Sequence, residues 1–141
     1  MHRICLVQPP IRDFYLTAKR TFPAGLAAIA GQLRAEGFTV EIVDALAGSK
    51  RRIKPLPPEM ADLVDFYGPP DRSPFGLFSA WAHHGAGFDT VARRVAETRP
   101  FLVGISSLFT AYADEALATA EAVRWLLPEA RIVVGGHHAT A

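Results

Sequence analysis

The stretch Val103-Gly104-Ile105-Ser106-Ser107-Leu108-Phe109-Thr110 (VGISSLFT) decides how this chain is read. An apolar run, continuous enough to be covered on both faces, ends in two hydroxyl side chains. A second apolar run, Ile132-Val133-Val134, ends in Gly135-Gly136-His137-His138. Strands that stop in small, hydrogen-bonding residues leave room for a group to lie against their ends.

Working outward, the same alternation of apolar runs and helical stripes fills most of the chain. Ile4-Cys5-Leu6-Val7 is a strand halted by Gln8-Pro9-Pro10. After a polar loop, Pro23 can open a helix whose apolar stripe is Leu26, Ile29, Ala30 and Leu33, with Gly37 placed for a left-handed C-cap. Val40, Ile42 and Val43 belong to a second strand, so residues 4–43 form a strand–helix–strand crossover, right-handed if parallel. Phe88, Val91, Ala92 and Val95 mark a helix that ends before Pro100, and Phe101 to Leu108 (FLVGISSL) is the third strand. A third helix follows, with Thr110 as its N-cap, Asp114 and Glu115 at its positive end and Pro128 as its stop. Arg131 to Gly136 (RIVVGG) is the fourth strand.

This pattern predicts an α/β fold, a Rossmann-like (flavodoxin-like) doubly wound parallel sheet that lacks its last strand and helix. The expectation is one domain over 1–141 that is either the N-terminal portion of a longer protein or a very trimmed domain, because the fourth strand is otherwise poorly covered. Residues 48–87 form a long insert rich in Pro, Gly and aromatics, either functional or packed against something.

Composition excludes several classes. The 141 residues are half apolar and carry a formal charge of +1, too little for a nucleic-acid surface. Lys50-Arg51-Arg52-Ile53-Lys54, the only basic cluster, reads as a solvated loop. With no membrane-length apolar run and no secretion signal, the expected location is cytoplasmic. The single cysteine, Cys5, packs as a small hydrophobe; no internal disulfide, CxxC pair or cysteine-held cluster can form within this chain.

In doubly wound sheets, ligands sit beyond the carboxyl ends of the strands, at the point where strand order reverses. The residues there are Gln8, Pro9, Pro10, Asp44, Ala45, Ser106, Ser107, Leu108, Gly135, Gly136 and His137, with the helix start at Thr110 favouring an anion. They suit a slot for a flat, partly apolar group carrying a phosphate; a tight strand exit and a helix cap explain the same residues without a ligand. Dinucleotide and P-loop fingerprints are missing, QPPIRDF is not a flavodoxin phosphate loop, and Gln8 and Ser106 stand where a receiver domain needs acids. His83-His84 and His137-His138 are adjacent pairs, a poor spacing for one metal, since neighbours in extended chain point to opposite sides.

Taken in order, LVQPP, FPAGLAAIAGQLRAEGFTVEIVDA, RPFLVGISSLFT and IVVGGHHATA resemble the N-terminal cobalamin (vitamin B12)-binding domain of cobalamin-dependent radical S-adenosylmethionine enzymes. The resemblance weakens over Gly48 to Gly85. Two elements match the wider cobalamin-domain pattern: the SxL triplet Ser106-Ser107-Leu108 and the pair Gly135-Gly136, about 26 residues apart, room for one helix and a strand. One departs: the DxHxxG motif, whose histidine is the lower cobalt ligand, has no counterpart, as the loop from Ile11 to Pro23 holds no histidine.

The resemblance therefore implies cobalamin bound base-off without a histidine ligand, its benzimidazole tail beside Ser106 and Gly135. The cofactor-binding residues are then Gln8, Pro9, Pro10, Ser106, Ser107, Leu108, Thr110, Gly135, Gly136 and His137, with Arg12, Phe14 and Tyr15 in a loop able to cover the lower face. It implies a partner radical domain on the same polypeptide, holding S-adenosylmethionine and a [4Fe-4S] cluster, for methyl transfer or other radical chemistry. No CxxxCxxC motif is in this chain, so it is not expected to be catalytic alone. Two other readings stay open: an interaction domain of this fold that has lost the cofactor, and a small-molecule enzyme using His137.

Overall fold

The computed structural model describes residues 2–15, 22–48, 50–67 and 78–140. Along the chain run β1 (Arg3–Gln8), β2 (Ile11–Tyr15), α1 (Ala24–Ala35), β3 (Thr39–Asp44) and β4 (Arg51–Ile53). A 3-10 segment (Pro58–Leu63) leads into α2 (Val64–Tyr67), then β5 (Phe78–His84), α3 (Phe88–Glu97) and β6 (Leu102–Ser106). A 3-10 turn (Thr110–Tyr112) opens α4 (Ala113–Leu126), followed by β7 (Arg131–Gly135) and α5 (His137–Thr140).

The four apolar runs pair as one parallel sheet in the order β3-β1-β6-β7. This is the flavodoxin-like order, with its reversal between β1 and β6. Alternation along β1 supplies both layers. Cys5 and Val7 face a core closed by α3 and α4 through Val91, Ala92, Val95, Ala116 and Val123. Ile4 and Leu6 face α1 through Leu26 and Ala30. Cys5 is fully buried, and burial pushes its thiol up to about 11, so it packs as an apolar side chain.

The helix boundaries follow local chemistry. Gly37 adopts φ +88° just past α1, the left-handed geometry expected of a C-cap. Pro23 is the N-cap of α1 rather than a member of its first turn, and Ile29 of the expected stripe is half exposed. Thr110 does not cap α4: it begins the preceding 3-10 turn, and Tyr112 occupies the cap position with no side-chain hydrogen bond. On β7, Ile132 and Val134 join the α3–α4 core while Val133 is 53 % exposed. Among the described residues there is no fifth parallel strand.

Two sequence expectations are corrected in the insert and in the segment after β1. Residues expected to form a loop, Arg12, Phe14 and Tyr15, lie on β2, and the insert supplies β4 and β5; the three make a small antiparallel sheet in the order β2-β5-β4. The basic cluster is likewise partly strand: Arg51 donates to the Ala80 carbonyl at 3.1 Å, while Arg52, next along β4, points to the opposite face. Residues 68–77 of the insert lie outside the described residues.

This sheet is tied to the parallel layer by charge. Arg12 Nε donates to Glu115 Oε1 at 2.5 Å, and Glu115, in the first turn of α4, is 3 % exposed. Tyr112 donates its hydroxyl proton to Asp13 on the same strand. A buried carboxylate whose partner is deleted keeps its desolvation cost without the compensating attraction. Arg12→Met is therefore expected to lower unfolding free energy by about 3 kcal/mol. Arg12→Met/Glu115→Gln should recover at least about half of that loss, measured by urea denaturation of both variants.

Candidate functional site

The register of the parallel sheet brings the strand ends into one row. Gln8 pairs with Asp44, Val7 with Ile105, and Ser106 with Gly135. Asp44 is occupied within the fold, its carboxylate accepting the Leu46 amide at 2.8 Å. Beside it, at the β1/β6 reversal, a cavity of about 220 Å³ opens beyond the carboxyl edge.

Gln8, Pro9 and Pro10 form one wall and Ser106, Ser107 and Leu108 the other. Both sets were expected there from sequence. Ile11, Phe22, Phe109 and Tyr112 complete the lining and were not anticipated. The signal for Phe109 and Tyr112 was available in the residues just after the SxL triplet, but it was read as the start of a helix. Ile11 and Phe22 reach the site only through the path of β2 and the start of α1. The mouth is apolar: Leu108 and Phe109 are about half exposed and Phe22 largely so. Phe109 and Tyr112 meet edge to face, their ring centroids 6.1 Å apart. Burial, and next the hydrogen bond to Asp13, push the Tyr112 hydroxyl well above the usual tyrosine range, so it stays protonated.

Four expected residues lie beside the cavity without lining it: Thr110, Gly135, Gly136 and His137. Thr110 Oγ1 lies 3.3 Å from His138 Nδ1. His137 is exposed at the start of α5. The two glycines have different roles. Gly136 has φ +125°, and a Cβ there would come within 2.5 Å of the Ser107 carbonyl oxygen, so it serves a close backbone crossing. A Cβ at Gly135 would meet nothing within 4 Å, leaving open space at the strand tip.

That crossing holds Ser107 in place. Its amide donates to the Gly135 carbonyl at 2.7 Å, and its carbonyl accepts the His138 amide at 3.2 Å. Its hydroxyl, on a residue 2 % exposed, has no hydrogen-bond partner among the described residues. A buried hydroxyl left unpaired costs about 1–3 kcal/mol, and a ligand heteroatom in the cavity would relieve that cost. The cavity is below the ~300–1,000 Å³ of sites that enclose whole drug-sized ligands. It suits one flat heteroaromatic moiety, with the apolar rim left for the larger body. These residues fit the nucleotide tail of a corrinoid.

The remaining titratable clusters lie elsewhere. His83 and His84 are buried on opposite faces of β5, and His83 Nε2 lies 3.0 Å from the Ala86 carbonyl. Among the described residues no three His, Cys, Asp or Glu side chains group as a metal site, and no helix is long and apolar enough to cross a membrane.

The family profile described as B12 binding domain matches residues 77–141, which contain the SxL triplet, both glycines, and Phe109 and Tyr112 of the cavity lining. Over 138 residues the chain is 27 % identical to a cytidylyl-2-hydroxyethylphosphonate methyltransferase of Streptomyces wedmorensis. The alignment takes in 97 % of this chain but 22 % of that relative, so the chain spans about a fifth of its length. No solved structure gives a significant match.

Two outcomes follow from the site. Gly136→Ala should destabilise the fold by about 2 kcal/mol or more, through the backbone clash and the strained φ, whereas Gly135→Ala should change stability by less than about 1 kcal/mol; thermal unfolding separates them. The second concerns pH. Burial, and then the neighbouring arginines, hold His83 and His84 below their ordinary value of 6.5. The unfolded chain takes up protons near 6.5 and the fold only at lower pH, so stability is full above that value and falls as pH drops below it. Urea midpoints measured from about pH 7.5 to pH 5.5 should fall for the wild type and fall less for His84→Gln.

Proposed function

We propose that this chain, whose residues 77–141 match the B12 binding domain profile, holds cobalamin base-off, with no histidine on cobalt, and presents it to a radical S-adenosylmethionine domain. The observation that carries this reading is the unpaired, buried Ser107 hydroxyl at a cavity whose neighbouring strand tip, Gly135, is open. Absence of a lower histidine is supported by position: residues 9–23 after β1 include none, and none of the chain's five histidines lines the cavity.

The roles of the residues follow from their chemistry. Ser107 offers a hydrogen bond to a nitrogen or oxygen of the benzimidazole nucleotide, in place of the partner it lacks in the fold. Pro9, Pro10 and Tyr112 give an apolar enclosure that excludes water from a flat base. Leu108, Phe109 and Phe22 present an apolar rim on which a corrin face can rest. When bound, the cofactor supplies cobalt chemistry for carrying a methyl group; this chain supplies its position and surroundings.

The similarity to the S. wedmorensis methyltransferase supports methyl transfer as the reaction of the whole protein. S-adenosylmethionine and a [4Fe-4S] cluster would then belong to a further domain on the same polypeptide, with residues 1–141 as its cobalamin domain in the cytoplasm. The insert would pack beside the cofactor layer through β5.

Incubation with hydroxocobalamin followed by desalting is expected to leave a red, near-stoichiometric complex. After reduction to cob(II)alamin, the electron paramagnetic spectrum should lack nitrogen superhyperfine splitting from an axial ligand. Gly135→Leu should lose retention while its circular dichroism stays unchanged, and Ser107→Ala should weaken it by about fivefold to tenfold. Axial nitrogen splitting would overturn the histidine-free part. Failure of the wild type to retain the corrinoid would favour the interaction-domain reading instead.

A further inference from the structure

The outer face of the small sheet carries a second cavity, of about 610 Å³, that the corrinoid reading does not use. Strand register builds it. Arg12 and Arg52 both pair with His83 across β5, so the three side chains form one row on the same face. In the adjacent row, two residues along each strand, stand Phe14, Trp81 and Lys54; the Phe14 and Trp81 rings are 5.0 Å apart, and the Lys54 amide donates to the Trp81 carbonyl at 2.9 Å. Phe88, at the first turn of α3, closes one side, edge-on to His83 with 5.6 Å between centroids. Pro55 to Pro58 form a rim with few conformations to lose on binding.

The charge balance of this cavity is one-sided. Among the described residues three cations line it and no carboxylate does. Arg12 is neutralised by Glu115, which leaves Arg52 and Lys54. Arg52 makes one long hydrogen bond, 3.4 Å to the Gly85 carbonyl, and Lys54 forms no ion pair among the described residues. Like charges gathered on one sheet face repel, and an anion between them removes that repulsion. Two free cations match the roughly −2 charge of a single phosphate monoester, whereas the chain's net +1 is unsuited to a polyanion. Trp81 and Phe88, each half-buried, leave ring surface toward the cavity for a planar group. The volume lies within the ~300–1,000 Å³ usual for small-molecule sites.

We propose that this face binds a small ligand made of a planar ring and one phosphate or phosphonate group, of the nucleoside monophosphate class, with Arg52 and Lys54 on the anion and Trp81 on the ring. The site is separate from the strand-end cavity and stands whether or not the chain retains a corrinoid.

Trp125→Phe leaves Trp81 as the sole tryptophan and so as the reporter. In that background the 141-residue chain is titrated with adenosine and cytidine monophosphates, the matching nucleosides and inorganic phosphate, by Trp81 fluorescence and calorimetry. At least one nucleotide should bind saturably in the sub-millimolar range, at least about tenfold tighter than its nucleoside or phosphate alone. Arg52→Gln/Lys54→Gln, two exposed positions, should weaken it by about tenfold or more, and Gly135→Leu should leave it unchanged. The proposal is overturned if neither nucleotide binds saturably, if nucleoside or phosphate binds equally well, or if the double variant binds as tightly as its parent.

Discussion

The strand-end site depends on a backbone clasp at Ser107. The Ser107 amide donates to Gly135 and its carbonyl accepts from His138, which pulls the loop after β6 against the end of β7. The clasp needs a residue without Cβ at Gly136, since any side chain there would enter the Ser107 carbonyl. With both backbone groups committed, the Ser107 side chain remains fixed and buried next to the β1/β6 reversal. The SxL and GG elements are thus one mechanical unit: the second holds the first in position.

A second constraint couples this unit to the rest of the chain. The residues after β1 turn back as β2, and Ile11 enters the strand-end cavity while Arg12 faces the outer one. Asp13 and Arg12 then grip Tyr112 and Glu115 at the entry to α4. One short strand therefore forms part of two cavities and anchors the helix that follows the serine loop. Burial of Glu115 makes that anchor sensitive to loss of its partner, because a lone carboxylate in the interior has no water to replace the arginine.

The histidines illustrate how context sets chemistry. His83 and His84 are neighbours, yet the pleat sends them to opposite faces of β5, where each is desolvated in a different setting. Neither lines the strand-end cavity, while His138 uses its backbone to support Ser107 and its ring to meet Thr110. His83, His84 and His138 thus bear on stability and on loop geometry.

Composition and local pattern determined the parallel layer. Continuous apolar runs can only be buried on both faces, helical stripes must cover them, and a glycine after α1 must take the left-handed cap. The small residues at the ends of β6 and β7 were legible for the same reason, as was the missing histidine after β1. The small sheet was not, because β2 is a short, largely polar segment whose partner, β5, follows far along the chain; Ile11 opposite His84 is a pairing no local signal encodes. Only the tertiary structure separated the two adjacent glycines, one filling a backbone crossing and one facing open space, and only cross-strand register turned a basic cluster into a cation row beside aromatic rings. Sequence period says which side of a strand a residue occupies; what waits on that side is decided by elements brought there from elsewhere in the chain.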